Sequence, residues 1–125
     1  MMINKGKLVY ILILVFGLQG LVSCESNKRE EIDVSDLPDP IIFSEHIQPI
    51  FDASCVQCHN GTTPPNLTTG NAYLEVVGGG YVDVENPANS KFYKAIDLGG
   101  SMYQYATDLD RAYILKWIET GADEN

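Results

Sequence analysis

Basic residues are scarce in this 125-residue sequence, which has 8 Lys and Arg against 17 Asp and Glu and a formal net charge of −9. Nucleic-acid binding requires a basic patch that meets the phosphates, so this shortage argues against it. The acidity favours instead a basic or neutral protein partner that is steered electrostatically, although it serves solubility equally well.

The sequence also lacks an apolar run of the roughly 20 residues that a membrane-spanning helix needs. Its longest apolar run extends from Leu8 to about Leu18, follows Lys5 and Lys7, and has the length of the apolar region of an export signal. The residues "LVSC" that end at Cys24 resemble the lipobox of bacterial lipoproteins.

Residues 1–23 are therefore predicted to be a lipoprotein signal peptide, with Cys24 acylated as the first residue of the mature chain. An ordinary cleaved signal beside a free cysteine is the alternative. We expect the mature protein to be exported and lipid-anchored at a bacterial membrane, in the periplasm or at the cell surface.

The rest of the chain divides by composition into two parts. Residues 24–40 are rich in charge and contain no aromatic residue, which predicts a flexible tether. Residues 41–125 have room for one domain, with no internal repeat, no alternating strand pattern and no βαβ pattern. The prediction is a small all-α domain with short helices and long loops.

Local signals predict where these helices lie. Apolar residues from Phe43 to Phe51 have helical spacing, with Ser44 as N-cap and a break at Pro49. Further helices are expected over residues 71–77 and after an N-cap at Ser90. The last and clearest helix is predicted to begin after Thr107 or Asp108 and to end at Gly121. The apolar stripe predicted for it consists of Leu109, either Ala112 or Tyr113, Trp117 and Ile118.

Cysteine is scarce too, and its positions are informative. Of the three cysteines, Cys24 is assigned to the lipid, and the other two lie in "CVQCH", residues 55–59. This arrangement is compatible with a zinc site, a redox disulfide or covalent haem attachment.

The first two interpretations leave something unexplained. Structural zinc requires four nitrogen or sulfur ligands, and beyond Cys55, Cys58 and His59 the chain offers only His46. A thioredoxin-like site needs the two cysteines in a βαβ context, and it gives His59 no role.

Haem attachment gives all three residues a role. The two thiols add to the two vinyl groups of haem, and His59 becomes the proximal iron ligand. The remaining axial position favours Met102, the single methionine of the predicted mature chain, which lies in the polar loop "LGGSMYQYATD" before the last helix. His46 is the competing distal ligand.

The CVQCH motif, one downstream Met in a loop and the closing "WIETGADEN" segment resemble the class I, single-haem cytochrome c domains of exported bacterial lipoproteins. The resemblance covers residues 41–125. It implies a cytochrome c-like fold around one covalent haem c and its iron, with the first and last helices in contact. It further implies a carbonyl of Pro64 or Pro65 that holds the His59 ring, and Leu67 packed on the haem face.

The resemblance implies an electron carrier rather than an enzyme, with a redox protein as partner. Cys55, Cys58, His59, Met102 and Pro65 would then surround the cofactor. The alternative is a haem-based sensor or small-ligand binder whose sixth site is open, displaceable or occupied by a second histidine. A peroxidase is disfavoured because di-haem peroxidases carry two attachment motifs and this chain has one.

Overall fold

The computed structural model describes residues 32–125, so the predicted signal peptide and Cys24 lie outside the described residues. The described residues belong to one compact unit, which ends at Asn125. Its regular structure, over residues 32–125, is helical without any β-strand, which confirms the predicted all-α class. None of the helices between residues 32 and 125 has the length and apolar character that a membrane crossing requires.

Three α-helices and several tighter or wider helical turns make up this part of the chain. The α-helices are α1 (Gln48–Ser54), α2 (Lys91–Ile96) and α3 (Asp108–Glu119). The turns are of the π type at Phe43–Ile47 and Leu74–Gly78, and of the 3₁₀ type at Val34–Asp36, Pro87–Asn89 and Tyr103–Tyr105.

The first helical stretch is continuous where the sequence predicted a break. The π-helical turn Phe43–Ile47 leads directly into α1, and Pro49 occupies the first turn of α1. Proline is tolerated in the first turn of an α-helix, and the π-type turn ends with the Gln48 amide bonded to the Phe43 carbonyl, so the missing N–H of Pro49 lies at the junction of the two elements. The predicted N-cap at Ser44 is wrong as well, because the residue before the turn is Ile42 and no side chain caps it.

The middle of the chain agrees with the sequence in outline. The predicted helix over residues 71–77 is observed as the π-helical turn Leu74–Gly78. Helix α2 begins directly after Ser90, as predicted, but the Ser90 hydroxyl does not cap it. That buried hydroxyl accepts a hydrogen bond from the Asp83 amide at 2.9 Å and donates one to the Asp83 carbonyl at 3.2 Å, which closes the intervening loop.

Helix α3 begins with the cap that its sequence predicts. The Thr107 hydroxyl accepts from the Asp110 amide at 3.1 Å, and the Asp110 carboxylate accepts from the Thr107 amide at 2.8 Å, which forms a capping box. The predicted stripe is wrong at Leu109, which is 47% exposed. Its buried positions are instead Arg111, Ile114, Trp117 and Ile118, three to four residues apart as the helix period requires.

The core is an aromatic cluster between the π-helical turn Phe43–Ile47 and α3. The Phe43 ring centroid lies 5.3 Å from that of Trp117 and 5.9 Å from that of Phe51. Ile47, Phe51, Trp117 and Ile118 belong to the same buried cluster and are fully inaccessible to solvent. The first and last helical stretches of the domain are therefore in contact.

Packing begins before the predicted domain start at residue 41. Leu37, within the segment 24–40 that was predicted to be a flexible tether, is 7% exposed. The Lys116 ammonium on α3 donates to the Leu37 carbonyl at 3.1 Å. The buried Leu37 side chain and the hydrogen bond from Lys116 to the Leu37 carbonyl thus hold the end of this charged segment on the domain.

Candidate functional site

A cavity of about 380 Å³ lies beside the aromatic core, within the size range of small-molecule and cofactor sites. Residues from α1, α2, α3 and the loops between them line it. The apolar lining includes Phe51, Leu67, Phe92, Ile96, Ala106 and Ile114. No Asp or Glu is found among the lining residues in the described part of the chain.

Cys55, Cys58 and His59 reach this cavity from a single turn at the end of α1. The Cys55 amide donates to the Phe51 carbonyl at 2.8 Å, which continues the helix by one residue. The Cys58 and His59 amides both donate to the Cys55 carbonyl, at 3.1 and 2.9 Å. The turn therefore presents two thiols and one imidazole to the same space, and both thiols are unpaired.

The His59 ring is oriented by backbone carbonyls. Its Nδ1 lies 3.2 Å from the Thr63 carbonyl oxygen and 3.2 Å from the Pro65 carbonyl oxygen. Because carbonyl oxygens only accept hydrogen bonds, Nδ1 carries the hydrogen and the lone pair is on Nε2. The Leu67 amide donates to the His59 carbonyl at 2.8 Å and closes this stretch, residues 55–67, which we call the attachment segment.

The Cys55 thiol does not have the character of a redox nucleophile. Burial, with a smaller contribution from the negative charge of Asp110, raises the pKa of the Cys55 thiol to about 11. Reactive cysteines of disulfide exchange have a lowered pKa, because the thiolate is the attacking species. Cys55 is therefore protonated at neutral pH.

Met102 lines the same cavity although it is remote from His59 in the sequence. Its amide donates to the Ala95 carbonyl of α2 at 2.7 Å. Met102 as a whole is 37% exposed to solvent. A Cβ at Gly100 would lie 2.2 Å from the Lys94 carbonyl oxygen, so only glycine permits this close passage over α2. We call residues 97–106 the Met102 segment.

His46, the competing distal ligand, is not among the residues that line the cavity. Its Nδ1 accepts a hydrogen bond from the Ile42 amide at 2.9 Å. Its ring stacks on Tyr113 with the centroids 5.9 Å apart. The structure thus brings Cys55, Cys58, His59 and Met102 together and leaves His46 elsewhere.

Two cationic residues near the site were not anticipated. Lys91, at the start of α2, is the only Lys or Arg among the described lining residues. Arg111 of α3 is buried and touches the Met102 segment. No sequence signal identified either residue, because a lysine at a helix start and an arginine within an acidic helix are both typical of solvent-exposed positions.

Within residues 32–125 no group of three or more His, Cys, Asp or Glu side chains is arranged to hold a metal ion. No family, curated protein or solved structure matches the chain. The resemblance to cytochrome c domains therefore depends on the residues of the sequence alone, and the function has to be argued from the cavity.

Proposed function

We propose that the chain is a c-type cytochrome domain, tethered to a membrane through Cys24, that carries single electrons. The observation that supports this most strongly is that Cys55, Cys58, His59 and Met102 all line one apolar cavity. His59 and Met102 are 43 residues apart in the sequence, and nothing in the local motif requires them to meet.

The residues of the cavity fit a haem. Its aliphatic and aromatic lining suits the apolar macrocycle, and the two thiols of the turn suit its two vinyl groups. With the hydrogen of His59 on Nδ1, the Nε2 lone pair is available to a metal. The absence of carboxylates from the described lining, together with the presence of Lys91, suits a cofactor that carries its own carboxylates.

Each residue has a distinct role in this proposal. Cys55 and Cys58 would hold a haem covalently, the Pro65 carbonyl holds the His59 ring in one orientation, and Leu67 would keep water away from that ring. His59 and Met102 would bind the iron, and a thioether ligand would favour its reduced state. A haem bound in this way supplies one-electron oxidation and reduction at its iron, without any bond change in a substrate.

The acidic surface and the lipid anchor complete the proposal. With 17 acidic residues against 8 basic ones, the chain favours a redox partner with a basic docking surface, and contacts of that kind are small and transient. Anchoring through Cys24 keeps the domain near a membrane-bound partner.

Mass spectrometry tests the proposal directly. The protein is purified from a bacterial host that assembles c-type haem, beside the double variant Cys55→Ser/Cys58→Ser. We expect the native chain to carry the mass of one haem and to start at an acylated Cys24, whereas the double variant has the lipid and no haem. A colourless native protein with both thiols free, or joined to each other, would overturn the cytochrome assignment.

One observation favours the alternative of a haem sensor or small-ligand binder. Met102 is 37% exposed, so a small ligand has access to the position that its thioether is proposed to fill. Carbon monoxide distinguishes the two functions: rapid and complete binding to the reduced native protein indicates a displaceable sixth site, and slow or partial binding indicates an electron carrier.

A further inference from the structure

Arg111 carries the only full charge among the buried residues of the described chain. It is 6% exposed, and a buried charge is tolerated only where hydrogen bonds replace its hydration. Arg111 has no part in the proposed haem attachment or ligation. Its burial therefore calls for a separate explanation.

The Arg111 guanidinium contacts the Met102 segment at its middle and its last residue, and the residue just before it. The two N–H groups of one nitrogen, Nη1, are shared among the carbonyl oxygens of Ile96 at 3.3 Å, Tyr103 at 3.3 Å and Ala106 at 2.5 Å. Ile96 directly precedes the segment, and Ala106 is its last residue. These bonds draw the ends of a short loop towards one side chain of α3.

Two further contacts fix the guanidinium itself. Its Nη2 forms an ion pair with Asp108, one turn earlier on α3. Its central carbon lies 4.4 Å from the centroid of the Tyr103 ring, a cation–π arrangement. Tyr103 directly follows Met102, so Arg111 holds both the backbone and the ring of the neighbouring residue.

We propose that Arg111 is a positioning residue that holds the Met102 segment over the cavity and so determines how firmly Met102 keeps the sixth ligand position. The proposal rests on the proposed function. Arginine is suited to this role because its planar group can bond the carbonyls through Nη1, pair with Asp108 through Nη2 and lie on the Tyr103 ring at the same time. A lysine ammonium has three N–H donors but neither a second nitrogen nor a planar face. Arg111→Lys therefore keeps the charge and loses the simultaneous contacts.

The test compares Arg111→Lys with Lys116→Gln in the haem-loaded protein. Lys116 is a matched control because it also lies on α3 and donates to a distant backbone carbonyl, that of Leu37, away from the Met102 segment. Imidazole is titrated into the oxidised protein until the sulfur-to-iron charge-transfer band disappears. Hydrogen exchange of the Met102 amide is measured in parallel, because that amide donates to Ala95.

For Arg111→Lys we expect half-displacement at an imidazole concentration at least about tenfold lower than in the native protein, since the loss of hydrogen bonds to a charged group loosens the segment that carries Met102. The Met102 amide should exchange faster, and the Phe92 amide, which donates to the Tyr81 carbonyl, should keep its protection. Lys116→Gln should stay within about twofold of the native protein in the titration. Unchanged displacement and unchanged Met102 exchange in Arg111→Lys would overturn the proposal, as would equal effects in the two variants.

A second variant keeps the test informative if Arg111→Lys does not fold. Tyr103→Leu removes the ring from the guanidinium and leaves all three carbonyls in place, so a smaller shift in the same direction is expected, and no shift contradicts the proposal. Failure of the proposed function is separately visible as a native protein without haem. In that case exchange of the Met102 amide still decides whether Arg111 holds the segment.

Discussion

The two segments that bring donor atoms to the cavity are built in different ways. The attachment segment, residues 55–67, is closed by bonds between its own residues, such as His59 with Cys55 and Leu67 with His59. The Met102 segment, residues 97–106, is held by residues outside it, Ala95 of α2 and Arg111 of α3. A motif can therefore describe the first segment, whereas the second acquires its position from the helices that flank it.

The largest expected effect comes from Met102→Ala, because Met102 has the only thioether among the described lining residues. The oxidised protein should lose the sulfur-to-iron charge-transfer band completely, and haem should stay bonded to Cys55 and Cys58. Absorption spectra of the native and variant proteins measure both effects.

Tyr105→Phe is the matched control for this change, since Tyr105 lines the cavity from the same segment. It should keep the band. A band that survives in Met102→Ala would show that the sulfur ligand comes from another residue. A native protein that already lacks the band would show that the ligand has no sulfur, with His46 as the first residue to examine.

The second effect is one of stability and separates the two segments directly. Leu67 of the attachment segment is 3% exposed, whereas Leu98 of the Met102 segment is 70% exposed. Leu67→Ala should lower the free energy of unfolding by about 2–5 kcal/mol, because it leaves a cavity beside His59. Leu98→Ala should change it by less than about 0.5 kcal/mol. Urea denaturation measures both values, and similar costs would contradict the difference in packing.

The same contrast explains how much the sequence could predict. Local signals predicted the helical class, the start of α3 and a proline carbonyl at His59, which is that of Pro65: a capping box and a motif followed by two prolines. The second contact of His59, with the Thr63 carbonyl, was not predicted. Burial of Arg111 was not predictable, since the carbonyls that satisfy its guanidinium belong to α2 and the Met102 segment, and no motif in the sequence marks them. The exposure of Leu109 was missed for a related reason, because the face that α3 buries is chosen by its neighbours in space.

A smaller effect is expected at the junction between the Met102 segment and α3. Thr107→Ala removes the hydroxyl that accepts from the Asp110 amide, and the loss of such a cap costs about 1 kcal/mol. Thermal or urea unfolding measures the change, and the Asp110 amide should lose protection from hydrogen exchange. Thr69→Ala, at an exposed turn position, is the control and should be neutral. A neutral Thr107→Ala would mean that tertiary packing alone fixes the start of α3.

The smallest expected effect concerns two lysines of α2 that differ in their relation to the cavity. Lys91 and Lys94 are both exposed, but only Lys91 lines the cavity. A nearby positive charge disfavours the oxidised iron, so Lys91→Gln should lower the midpoint potential, and Lys94→Gln should lower it less. Redox titration at low and high salt measures the difference, which should shrink as salt screens the exposed charge. Equal shifts in the two variants would mean that the potential responds to net charge alone, and that the position of Lys91 at the cavity has no particular electrostatic role.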